Sequence, residues 1–268
     1  MTQEKKYFNV SLERFFRLAN WGNQVQFMDF TLDSIRDIRL FQSKKGYRFS
    51  VDALLLFDFV NLKKIERIGD LGAGSGIVGI LLAKKYPDAV VTLFEIQDSL
   101  AALAEKNIEV NNLEERVKVM KTDIKRIKLF HVSRIAPDSF DLLVSNPPFR
   151  RLKSGRISEG EEKAIARHEI KLGLHDLIDA ASYLLKIRGR LCMVYHPSRL
   201  LELFDMLKRK NLEPKRLRFV HSHISSEAKM ILLEATKGGR AGLKVDKPFY
   251  IYKGDGSYTD EVRKIYSS

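Results

Sequence analysis

The chain has 268 residues, 44% of them hydrophobic, enough to bury a full core as one large domain or one domain with small additions. Lys and Arg number 47 against 34 Asp and Glu, a net +13, which favours a polyanionic partner because each phosphate that a Lys or Arg neutralises releases condensed counterions. A single cysteine, Cys192, excludes an internal disulfide and a thiolate metal cluster; no apolar run approaches the ~20 residues of a membrane helix and the start lacks the apolar core of a signal peptide, so a cytoplasmic protein without membrane contact is expected.

Residues 1–60 read as an N-terminal helical segment set apart from a main domain of residues 61–268. It has an amphipathic start, then the stretch 31–35, then Gly46 to Leu56, where Ser50 or Asp52 is expected to cap a helix through Leu54, Leu55 and Phe57. From residue 66 onward, short runs rich in Val, Ile and Leu alternate with helical patterns, the signature of strand-helix units and a mostly parallel sheet. Strands are expected at 67–70, 90–95, 117–120, 140–145, 190–195, 217–220 and 230–234, and helices at 76–85, 99–111, 174–185 and 198–208. No helical pattern separates the last two strands, so they should pair as an antiparallel hairpin at one edge of the sheet. Cys192 falls in a buried strand and reads as packing. His221 and His223, two apart, are the nearest approach to a ligand pair; with no third ligand in view, no metal is expected.

Asp70-Leu71-Gly72-Ala73-Gly74-Ser75-Gly76 follows a strand and opens a helix, the setting in which a glycine turn becomes a binding site. Glu95 closes the next strand, where a carboxylate can accept from two ribose hydroxyls. A dinucleotide fits this frame as well as S-adenosylmethionine does. Asp70 separates them, since a carboxylate there repels a pyrophosphate and attracts the cationic amino group of a methionine moiety. Asp123, after the third strand, is placed to accept from an adenine amino group, with Ile124 or Ile96 against the ring; the competing reading makes Asp123 a helix cap.

Asn146-Pro147-Pro148-Phe149 ends the fourth strand, and the carboxyl ends of parallel strands face the ligand crevice. The two prolines force Asn146 into an extended conformation. An amino group on a planar ring is a poor nucleophile because its lone pair is delocalised. Its two N–H groups would donate to the Asn146 side chain and the Pro147 carbonyl, aiming the lone pair at a methyl donor, while Phe149 stacks on the ring. Such catalysis needs positioning and electrostatics, without a metal or a covalent intermediate. Arg150, Arg151, Lys153 and Arg156 follow this loop and are the candidates for phosphate contacts. Lys208, Arg209, Lys210, Lys215, Arg216 and Arg218 form a second basic cluster, for which a solvated face is an equal alternative.

With these two motifs the chain resembles the amino-methyltransferases of the class I S-adenosylmethionine-dependent superfamily. The resemblance implies a Rossmann-like α/β fold, with a seven-stranded, mostly parallel sheet, an antiparallel last strand and helices on both faces. Members act on adenine in DNA, adenine or guanine in RNA, and glutamine in release factors. A finer resemblance rests on residues 46–56, on Ala166-Arg167-His168-Glu169, and on Glu227-Ala228-Lys229-Met230 with Lys237-Gly238-Gly239-Arg240. These are similar to the bacterial N6-adenine methyltransferases that modify adenine 37 in the anticodon loop of a valine tRNA. That resemblance implies that residues 46–52 cover the methionine end of the cofactor, giving contacts to Tyr47, Arg48, Phe49 and Asp52, and it puts Phe149 where some members carry tyrosine. The expected activity is N6-methylation of a tRNA adenine. The alternatives are glutamine methylation of a release factor and a non-catalytic RNA-binding protein that keeps the fold.

Overall fold

A computed structural model describes residues 30–44, 51–129, 135–147 and 173–267. It opens with a hairpin of β1 (Phe30–Ile35) and β2 (Ile38–Ser43) around a turn at Arg36 and Asp37. Arg36 has φ 54, the left-handed geometry that tight hairpin turns use. The hairpin replaces the helical character expected of this stretch, in keeping with its β-branched and aromatic residues Phe30, Thr31, Ile35, Ile38 and Phe41. Helix α1 (Val51–Phe59) does form, and Asp52 stands inside its first turn rather than at its cap; Ser50 lies outside the described residues. Residues 52–57 and Phe59 of α1 are buried and only Asp58 is exposed, the mark of a helix packed nearly all round, and its apolar side chains belong to the same core as the rest of the chain.

The alternation follows as β3 (Arg67–Leu71), α2 (Ile77–Lys85), β4 (Val90–Glu95), α3 (Asp98–Val110), β5 (Val117–Lys121), β6 (Phe140–Ser145), α4 (Leu174–Leu184), β7 (Leu185–Tyr195), α5 (Leu200–Arg209), β8 (Leu212–His221) and β9 (Ala228–Lys237). Two short strands, β10 (Lys244–Val245) and β11 (Phe249–Tyr250), and helix α6 (Asp260–Ser267) complete it. The sheet runs β10-β8-β9-β7-β6-β3-β4-β5, with β11 also on β8. Strands β3 to β7 are mutually parallel, and β9 lies antiparallel between β7 and β8. The seven expected strands are therefore present, with the antiparallel member in place. The count rises to nine because β10 and β11 cover β8, so the β8–β9 hairpin is not the bare edge that the patterning suggests.

Neighbouring residues on β4 serve opposite faces. On one face Leu93 lies so close to α2 that a Cβ at Gly79 would overlap it. On the other, Phe94 meets Phe140 edge to face with centroids 5.8 Å apart. Helices α1, α2, α3 and α6 pack among themselves, and α4 packs on α5. Cys192 is fully buried in β7, and burial pushes its thiol well above the usual range, which suits packing.

Candidate cofactor and acceptor site

Because β3, β4, β5 and β6 are parallel, their carboxyl ends share one rim of the sheet. The register levels Leu71 with Phe94, Asp70 with Val144, and Glu95 with Lys121. Asp70, Glu95, Asp123 and Asn146 consequently gather at or just beyond that rim, where an open α/β sheet binds ligands.

The glycine loop turns through three left-handed residues, Gly72 at φ 73, Gly74 at φ 57 and Gly76 at φ 86, a conformation that costs a side chain about 1–2 kcal/mol. Gly72 and Ala73 donate their N–H groups to the Phe94 carbonyl at 2.9 and 3.0 Å. Glu95, 4% exposed, holds the loop from below. One of its oxygens accepts the Gly74 N–H at 2.8 Å, and the other accepts those of Ile96 and Gln97 at 2.9 and 2.8 Å. The Gln97 side-chain amide also approaches the second oxygen at 3.5 Å, so capacity for a hydroxyl donor remains on the oxygen that accepts from Gly74. Above Gly74, among the described residues, nothing lies within 4 Å of a Cβ built there. The loop therefore presents bare backbone to the crevice.

Asp70 is 2% exposed and accepts the Gly79 N–H at 3.0 Å, satisfying a first-turn donor of α2. Burial is the main cause that raises its carboxyl to about 7; the bond from Gly79 opposes this and the nearby Glu95 adds to it. Ile96 is 36% exposed at the end of β4, whereas Ile124 is buried, so Ile96 offers the open apolar face. Asp123 accepts the Lys125 N–H at 3.0 Å and caps the short turn Ile124–Arg126, the cap reading of this residue.

On the acceptor side, the Ser145 hydroxyl donates to the Leu71 carbonyl at 2.7 Å in a fully buried contact. This bond ties the end of β6 to the end of β3, so Asn146, half-buried, and Pro147, buried, emerge beside the glycine loop. Pro148, Phe149, Arg150, Arg151, Lys153 and Arg156 lie outside the described residues, as do Tyr47, Arg48 and Phe49. Asp52 is buried in α1.

Two features of the site escape a sequence reading. Ser145 is one. The other is a pair of asparagines that meet the hairpin, Asn107 on α3 and Asn111 at its C-cap. The second basic cluster resolves into internal pairs: Arg209 with Asp205 at 2.8 Å, Lys210 with Asp179 at 2.7 Å, Arg218 with Glu261 at 2.7 Å, and Arg216 with Glu234 at 3.3 Å. Lys215 donates to the Arg240 carbonyl at 3.1 Å. His221 and His223 both serve the turn between β8 and β9, through the Ser226 carbonyl at 2.8 Å and the Ser225 hydroxyl at 3.0 Å.

A sheet of this order, with a glycine loop after β3 and an acidic residue closing β4, defines the class I methyltransferase fold. The chain belongs to the methyltransferase small domain family, whose profile matches residues 50–211. It is similar to a tRNA1(Val) (adenine(37)-N6)-methyltransferase of Porphyromonas gingivalis, 35% identical over 201 residues that cover 73% of this chain and 76% of that one. A protein of the same description from Pedobacter heparinus is 27% identical over 246 residues, 91% of this chain and 96% of that one. Among solved structures, a predicted O-methyltransferase from Agrobacterium tumefaciens aligns with a TM-score of 0.65 at 24% identity, covering 80% of this chain and 95% of that one. That likeness is one of fold.

Proposed function

We propose that this protein transfers a methyl group from S-adenosylmethionine to the N6 of an adenine in tRNA, adenine 37 of a valine tRNA. The observation that carries the reading is the Ser145–Leu71 bond, which sets Asn146 beside the glycine loop. The residues fit the cofactor: open backbone at Gly74, a buried carboxylate at Asp70 for a cationic group, and exposed Ile96 for a purine face. When bound, S-adenosylmethionine supplies a methyl on a good leaving group. Glu95 accepts from the ribose, Asp123 from the adenine amino group, and the glycines 72, 74 and 76 shape the floor. Tyr47, Arg48, Phe49 and Asp52, in the segment before residue 60, cover the methionine end.

The acceptor amine donates to the Asn146 side-chain oxygen and the Pro147 carbonyl, which turns its lone pair out of the ring plane. Phe149 stacks on the base, and Pro148 keeps the loop stiff. An adenine in an anticodon loop is already unpaired, so drawing it into the crevice costs least there. Arg150, Arg151, Lys153 and Arg156 take its flanking phosphates. Among the described residues no helix is long and apolar enough to cross a membrane, and a tRNA substrate is consistent with work in the cytoplasm. The test is incubation of the purified chain with labelled cofactor and total tRNA from a strain lacking the enzyme. N6-methyladenine should form at the anticodon loop; its absence, or transfer to a release-factor glutamine instead, refutes the reading.

A further inference from the structure

The two asparagines, in the last turn of α3 and at its C-cap, recognise a strand. Asn107 and Asn111 are four apart, about 6 Å along a helix; Arg39 and Phe41 are two apart, about 6.7 Å along a strand. The spacings nearly match, and each carboxamide meets one strand residue through both its N–H and its C=O. The Asn107 Oδ1 accepts the Phe41 N–H at 2.7 Å, and its Nδ2 donates to the Phe41 carbonyl at 3.2 Å. The Asn111 Oδ1 accepts the Arg39 N–H at 2.9 Å, and its Nδ2 donates to the Arg39 carbonyl at 2.7 Å. Helix α3 thus acts as a partner strand for β2.

Asn107 does one thing that Asn111 does not. Its Nδ2 also donates to the Ser75 carbonyl at 2.9 Å, and the side chain is wholly buried. Ser75 stands between Gly74 and Gly76, both left-handed, so this bond fixes the orientation of the Ser75–Gly76 peptide. One carboxamide therefore contacts both the hairpin and the glycine loop, so a shift of either strains the side chain that holds the other.

We infer that Asn107 is a positioning residue for cofactor binding, coupling the docking of the β1–β2 hairpin to the shape of the glycine loop. The inference rests on the reading of residues 70–76 as the S-adenosylmethionine loop. Asn107→Asp keeps an acceptor for the Phe41 N–H and removes the Nδ2 donor to both the Ser75 and the Phe41 carbonyls. It should weaken S-adenosylmethionine binding by about tenfold or more, the weight of the lost buried bond to the loop, with a matching rise in KM for the cofactor and little change in kcat at saturation. Asn111→Ala loosens the same hairpin but leaves the bond to Ser75, and should bind within about threefold of wild type.

The measurement is calorimetry with S-adenosylmethionine on the full chain without RNA. Because coupling is reciprocal, hydrogen exchange on the wild-type chain supplies a second measurement that needs no variant to fold: cofactor should slow exchange at residues 38–43. Unchanged affinity in Asn107→Asp, equal loss in Asn111→Ala, or hairpin exchange indifferent to cofactor would overturn the role of Asn107. A wild-type chain that fails to bind S-adenosylmethionine would instead refute the cofactor reading.

Discussion

Acidification should weaken cofactor binding through Asp70. Its carboxyl lies under the glycine loop, and burial, with Glu95 adding to it, raises it from the ordinary value of 3.8 to about 7. A cationic amino group at the loop favours the ionised form. If only that form holds the ligand, about one half of the chains are competent at pH 7 and about one thirtieth at pH 5.5. Affinity then falls by up to roughly fifteenfold across this window, about 1.6 kcal/mol. The window ends below ~7.7, where an α-amino group begins to lose its own proton. Calorimetry in two buffers of different ionisation heat reads both the affinity and the proton released on binding, close to one per ligand at the acid end. Asp70→Asn keeps an oxygen for the Gly79 N–H, removes the titration and should flatten the profile. A flat profile in the wild type, or the same slope in the variant, would refute the reasoning.

The same residue makes a statement about stability. A carboxyl whose folded value is raised from 3.8 to about 7 gives its full contribution below its unfolded value and loses it as pH climbs through the folded one, about 4 kcal/mol in all. Asp70→Asn should therefore gain melting temperature relative to wild type at pH 8 but not at pH 4; an offset independent of pH counts against this. Asn146→Ala should cut kcat by at least about a hundredfold, the scale of a lost transition-state hydrogen bond, while calorimetric affinity for S-adenosylmethionine stays within twofold; loss of cofactor binding would contradict its assignment to the acceptor. Ser145→Ala leaves the Leu71 carbonyl without this donor and should cost about 1–3 kcal/mol in denaturant unfolding together with a lower kcat; wild-type turnover would show that the link between the strand ends does not place Asn146. At Gly76, φ 86 and a Leu93 carbon 2.9 Å from a built Cβ make alanine more disruptive than at Gly74, where the space is open, and thermal denaturation should show that order.

Strands β4 and β6 were legible because each is a short run rich in apolar residues between turn residues, and burial leaves polar positions little room. Strands β7 and β8 begin before the runs at 190 and 217, since Lys186, Arg188 and Pro214 interrupt the pattern that neighbours in space nevertheless complete. The two-residue strands β10 and β11 carry no period at all. Within the site, Asp70 and Glu95 were legible as residue types, but not their targets: both accept backbone N–H groups that only the closed loop and α2 bring to them. Asn107 and Asn111 read as a polar helix face until β2 arrives from 66 to 72 positions away. For the same reason the basic run at 208–218 left a phosphate surface and a solvated face as equal alternatives, whereas Asp179, Glu234 and Glu261 pair with it from distant parts of the chain.

Glu95 also bears on how much disorder a ligand must remove. Its carboxylate already gathers the N–H groups of Gly74, Ile96 and Gln97 at 2.8–2.9 Å. Each residue confined to one backbone conformation gives up about 1–2 kcal/mol of entropy, and here that loss falls on folding rather than on association. The loop meets its ligand already in the receiving shape, so contact free energy made at this rim passes into affinity with little subtracted for ordering.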